Sequence, residues 1–145
     1  MLPRLPDFDQ PRAWYWLEPG VYAASATMLQ HVYYPGLAVW SHENETRYQK
    51  LRSFNGQFHA LRDHPDHPAE ALQGLTTKEW DQAWTLYDQL RFARLCLYLR
   101  SREPDASAGY SILIYRLSAA DLKLALESDL TTFIAAVTKP PASGK

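Results

Sequence analysis

One long amphipathic run limits what this chain can fold into more than any other feature. Thr76 and Glu79 have the spacing of a capping box, in which each side chain satisfies a free backbone N–H of the first helical turn. Beyond them Ala83, Leu86, Leu90, Ala93 and Leu97 recur at three- and four-residue intervals, and Trp80, Trp84 and Tyr87 widen the stripe. The pattern predicts a helix over 77–102, stopped by Pro104. A helix with one apolar stripe has to bury it against other elements, so the remaining segments are read as its partners.

Two segments read as strands entered through turns. Pro19 and Gly20 supply a turn before 21–26, where Ala23, Ala24, Ser25 and Ala26 are small enough for another element to approach closely. Residues 110–117 alternate Tyr110, Ile112 and Ile114 with Leu113, Tyr115 and Leu117. Both faces of this run are apolar, which predicts a central strand covered on both sides. A third short strand is expected at 14–17, and 105–109 is read as a polar turn. Thr27 and Gln30 fit a capping box for a short helix over 28–34, ended by Pro35 and Gly36. Leu51, Phe54, Phe58 and Leu61 place a helix over 45–62, and Ser118 caps another over 119–130 through Leu122, Ala125, Leu126 and Leu130.

The expected architecture is α+β, or three-layer α/β: a small sheet of about three strands packed by three to four helices. Residues 1–13, with Pro3, Pro6 and Pro11, read as an extended arm, 14–138 as one domain, and 139–145 as a disordered tail. At 145 residues and 46% hydrophobic content, one core is the expectation.

Composition excludes several classes of function. Fifteen basic against sixteen acidic residues leave a net charge of −1, so no global field draws the chain to nucleic acid or to an anionic membrane. Cys96 is the only cysteine, which rules out an internal disulfide and a cysteine-rich zinc site. No stretch approaches the eighteen apolar residues of a membrane span, so insertion by this chain is not expected. Glycine-rich phosphate loops are absent, and no cofactor is implied.

Candidate chemistry is sparse. His64, Asp66 and His67 lie close together in a proline loop, but zinc needs three or four ligands, so a solvated turn is the plain reading and no metal is expected. Ser25 and Ser111 lack a nucleophile elbow, and Cys96 sits where a small buried hydrophobe fits. Ser25, Gln30 and Tyr110 fall at the ends of the strands, where a pocket of a small soluble enzyme could form. Arg91, Arg94 and Arg102 share a helical stripe with Tyr98, which reads either as a solvated face, with Asp88 pairing Arg91, or as a site for phosphate or nucleic acid. Trp14 and Trp16 alternate on one strand face and are the aromatic candidates for a surface site, whereas Trp80 and Trp84 read as core.

Two segments carry a family resemblance: Pro19-Gly-Val-Tyr-Ala-Ala-Ser-Ala-Thr-Met-Leu-Gln30 and Arg102-Glu-Pro-Asp-Ala-Ser-Ala-Gly-Tyr-Ser-Ile112. They resemble the C-terminal soluble region of bacterial lipid-linked-sugar glycosyltransferases, membrane enzymes of the dolichyl-phosphate-mannose type. The resemblance covers about thirty residues and the helical interval between them. It departs from the family where an Asp-Trp-Gly-Gln segment is missing and where Asp105-Ala-Ser-Ala108 replaces a more apolar linker. The missing segment implies an incomplete sheet whose edge is covered by a second copy or by the arm, and either would hide Trp14 or Trp16. It implies a non-catalytic accessory or binding domain, since the family's catalytic acids lie in its membrane region and none has a counterpart here. The implied partners are such a membrane region or a second copy. The implied place is the periplasmic side of the inner membrane, and the cytoplasm if the chain acts alone.

Overall fold

A computed structural model describes residues 17–30, 37, 39–58 and 74–138. The elements in order are β1 (Gly20–Ser25), α1 (Ala26–Leu29), α2 (His42–Arg52), α3 (Thr77–Arg100), β2 (Ala106–Ala108), β3 (Ile112–Leu117), α4 (Ala119–Glu127) and α5 (Leu130–Thr138). The three strands form one antiparallel sheet in the order β1-β3-β2. The fold is α+β.

Helix α3 is the spine, about 36 Å long at the usual rise per residue. Its capping box forms as expected, with Thr76 accepting from the Glu79 N–H and Glu79 accepting from the Thr76 N–H. The N-terminal half of α3 packs Trp80, Trp84, Tyr87 and Leu90 with Tyr48 of α2 and Phe58. The C-terminal half packs Leu95, Cys96, Tyr98 and Leu99 against Tyr115 and Leu117 of β3, the apolar side of α4 and Phe133 of α5. Trp40 adjoins both clusters, so one tryptophan joins the two halves of the core. Cys96 is buried, and loss of hydration pushes its thiol up to about 12, as expected for a packing residue.

Several boundaries differ from expectation. The short helix starts at Ala26 because the Ser25 hydroxyl, not Thr27, accepts from the Met28 N–H. Helix α2 begins three residues earlier than the apolar pattern indicates, because Ser41 caps it through the Asn44 N–H. After α4, Ser128 adopts an extended conformation and Asp129 caps a further helix, α5, by accepting from the Thr132 N–H. The segment read as a polar turn contains β2: Asp105 donates to the Ile114 carbonyl and accepts from the Arg116 N–H, which starts a ladder. A three-residue loop closes the hairpin between the paired residues Ala108 and Ile112, with Gly109 in the left-handed region at φ 64°. The expected strand 14–17 falls on residues of which all but Leu17 lie outside the described ones, as do the arm and the tail.

β3 is the middle strand, as the sequence predicts, but it is not covered on both sides. Leu113, Tyr115 and Leu117 face the core together with Tyr22 and Ala24 of β1. On the opposite face Val21 is 68% exposed, Ile112 is 36% exposed, and Ala23, Arg116, Ala106 and Ala108 are also exposed. Among the described residues no helix lies over that face, and the described elements form an α+β arrangement. Apolar character on both faces of a strand marks a surface without naming what covers it.

The asymmetry fixes a mutational order. Leu117→Ala should cost about 2–5 kcal/mol, as for other buried leucines. Ile112→Ala should cost under about 1 kcal/mol, as for a position with one side in water. Urea unfolding followed by circular dichroism checks both.

Candidate functional site

Arg94 lies at the centre of the polar structure. Its side chain is 0% exposed, and one guanidinium nitrogen donates to both oxygens of Glu45, at 3.1 and 2.9 Å. The other donates to the Ser128 carbonyl at 2.6 Å. The guanidinium carbon stands 4.3 Å from the centre of the Phe133 ring, 5.0 Å from Tyr48 and 5.8 Å from Trp40. Burial pulls the Arg94 pKa down, and the Glu45 carboxylate opposes that. Glu45 is fully occupied as well, since it accepts from the Trp40 indole at 2.7 Å and from Gln49 at 2.6 Å. The Arg94 Nε is the one buried side-chain polar atom among the described residues without a partner.

Arg94 and Tyr98 on α3 and Arg102 just beyond its end, spaced four residues apart, are three ties to one neighbour. Arg94 reaches the C-terminal end of α4. Tyr98 donates to Asp121 at 2.7 Å and Arg102 at 3.1 Å, at the N-terminal end of the same helix. Asp121 is also the capping-box partner of Ser118. Burial pushes the Asp121 carboxyl up, but the bonds from Ser118 and Tyr98 and the Arg102 charge leave it below the ordinary value. The stripe read as a solvated face or an anion site is therefore neither. Arg94 is in the core, and Tyr98 and Arg102 hold α4 in place. Arg91 keeps its expected partner, Asp88, at 3.7 Å, and lies 5.5 Å from the Tyr87 ring.

Asp88 is 8% exposed, and desolvation, opposed by Arg91, raises its pKa from 3.8 to about 6. The sequence marks it only as a partner for Arg91. Composition and spacing carry no sign that an acid on this helix is desolvated, because the burial comes from tertiary packing.

Ser25, Gln30 and Tyr110 do not form a pocket wall. The Ser25 hydroxyl is used as a helix cap, Gln30 is exposed at the end of α1, and Tyr110 is 105% exposed on the hairpin loop. Ser25 and Tyr110 do share one end of the sheet, since Ser25 pairs with Ile112 and the Ser111 carbonyl accepts from the Ala26 N–H at 2.9 Å. Trp14, Trp16, His64 and His67 lie outside the described residues. Trp80 and Trp84 are buried as expected. Among the described residues no group of three metal-ligating side chains converges, and no helix is long and apolar enough to cross a membrane.

Among the described residues, one surface open to a partner is the outer face of the sheet. From the pairing, Val21 lies beside Arg116, Ala23 and Ala106 flank Ile114, and Ser25 and Ala108 flank Ile112. β3 thus carries a ridge of large side chains with small residues on either side. Arg116, the one ionisable side chain among these outward positions, pairs with no carboxylate among the described residues. The ridge was visible as an apolar strand, but its exposure was not. No family model, curated protein or solved structure matches the chain.

Two stability measurements follow. Glu45→Ala leaves the Arg94 charge buried without its carboxylate and should cost about 3–5 kcal/mol in denaturant unfolding. Asp88 has a folded pKa above its ordinary one, so its contribution is full below about pH 4 and is lost as pH rises through about 6. Asp88→Asn should accordingly gain about 2–3 kcal/mol at neutral pH relative to the unmodified chain, and little at pH 4. Equal stability of the two proteins at both pH values would show that Asp88 is not desolvated as described.

Proposed function

We propose that the chain is a non-catalytic accessory or binding domain of the kind found in the soluble region of lipid-linked-sugar glycosyltransferases, and that it works through the open face of its sheet. The observation that carries this reading is the division of the described surface. Arg94, Tyr98, Arg102, Asp121 and Glu45 hold helices together, whereas Val21, Ile112 and Tyr110 are left exposed beside small residues. Transfer of a sugar from a lipid phosphate requires a base, a stabilised leaving phosphate and a place for the lipid, held in one geometry. Glu45, Arg94 and Asp121 are instead engaged in holding helices together, and Arg116 is the one ionisable group on the open face. An apolar face with few charges suits a protein or lipid-protein surface better than a free sugar or nucleotide.

The test is an assay of the purified protein with a polyprenyl-phosphate sugar and an acceptor. The expected result is turnover no greater than that of a heat-denatured control. Turnover that disappears on substitution of Ser25, Gln30 or Tyr110 would overturn the proposal and establish an enzyme.

A further inference from the structure

The geometry points to a second copy of this chain as the occupant of the open sheet face, packed sheet to sheet about a two-fold axis. The inference rests on the proposed use of that face for binding, and goes on to name the partner from the order of residues along the ridge. β3 carries Arg116 at one end and Ile114 and Ile112 in between, and the hairpin loop carries the fully exposed Tyr110 at the other end. A cation at one end and an aromatic ring at the other make the ridge complementary to itself when it is reversed. If two β3 strands run antiparallel across an interface centred on Leu113, Arg116 of each copy lies over Tyr110 of the other, and Ile114 lies over Ile112. The guanidinium, which pairs with no carboxylate among the described residues, finds a ring face, and the contact is made twice by symmetry.

Shape supports the same arrangement. Ala23 and Ser25 on one side and Ala106 and Ala108 on the other leave a shallow groove along each flank of the ridge. A ridge of one copy, set slightly aside by sheet twist, fits the groove of the other, which is how aligned sheets pack at about 10 Å. The outward row is otherwise uncharged, so closing it desolvates no unpaired carboxylate. The two edge strands add to the tendency, since neither Gly20–Ser25 nor Ala106–Ala108 contains a charged residue or a proline that would discourage association.

The experiment is sedimentation equilibrium of the full chain over micromolar to sub-millimolar concentration. A monomer–dimer equilibrium is expected. Ile112→Glu, and separately Ala108→Glu on the flanking strand, should abolish the dimer while far-ultraviolet circular dichroism is unchanged. Using both guards against one variant failing to fold. Arg116→Ala and Tyr110→Ala should each weaken association about three- to thirtyfold, and the double variant should lose no more than either single one, because both remove the same pair. A chain that is monomeric throughout, or a dimer indifferent to Ile112→Glu and Ala108→Glu, overturns the inference. Additive losses at Arg116 and Tyr110 overturn the antiparallel arrangement. None of these outcomes involves catalysis, so a monomer without transferase turnover leaves the accessory-domain proposal standing while removing this one.

Discussion

The Arg94 guanidinium joins four parts of the chain that are otherwise distant in sequence. It binds Glu45 of α2, 49 residues away, accepts the Phe133 ring of α5 against its face, and donates to the carbonyl of Ser128 where α4 ends. A helix end leaves carbonyls without partners and carries partial negative charge. Here Tyr48 donates to Leu126, Arg52 to Glu127 and Arg94 to Ser128, so the end of α4 is satisfied by side chains of α2 and α3 instead of by a following glycine. The same bonds explain why α4 and α5 can part at Ser128 with the extended backbone that separates them. Without the cation, the carbonyls, the Glu45 carboxylate and the π faces of three aromatic rings would have no common partner. A buried ion pair of this kind adds little net stability over an apolar replacement but specifies one arrangement, since only one register of the helices satisfies it.

The sheet depends on this arrangement without contributing to it. α3 and α4 present a continuous apolar surface, on which Leu113, Tyr115 and Leu117 can lie only with the alternate residues pointing away. A strand of period two cannot bury both sets against one helical layer. The outward set, Ile112, Ile114 and Arg116, is therefore free to be chosen for something other than the fold. In a domain whose only task was to stay folded, those positions would be expected to be polar, as in other antiparallel sheets with one wet face. The apolar character of Ile112 and Ile114 is a departure from the local rule, and such departures mark sites under another constraint.

Legibility in the sequence followed the range of the interaction. The capping box at Thr76, the cap at Ser118, the stripe of α3 and the apolar run of β3 are local, and each appears in the structure close to where spacing placed it. Ser25 and Asp129 show how near the limit lies: both are ordinary cap residues, but choosing Ser25 over Thr27 depends on where β1 stops pairing with β3. The β2 strand was hidden because Ala106, Ser107 and Ala108 have weak strand preference and pair only because Asp105 starts the ladder. The role of Arg94 could not be read at all. An arginine near Tyr98 and Arg102 on a helix looks like a surface stripe until Glu45, Tyr48 and Phe133 arrive from other elements, and nothing in spacing records a partner 49 residues away.

Asp88 presents the opposite case to Arg94. Both are ionisable and buried on the same helix, yet Arg94 is matched by a carboxylate, a carbonyl and three rings, while Asp88 has Arg91 at 3.7 Å and a pKa raised by desolvation. The first charge organises the packing around it. The second opposes folding at neutral pH, and an asparagine of the same shape would avoid that cost. A fold retains such a group only where the charge itself is of use or where the cost is small beside the total stability.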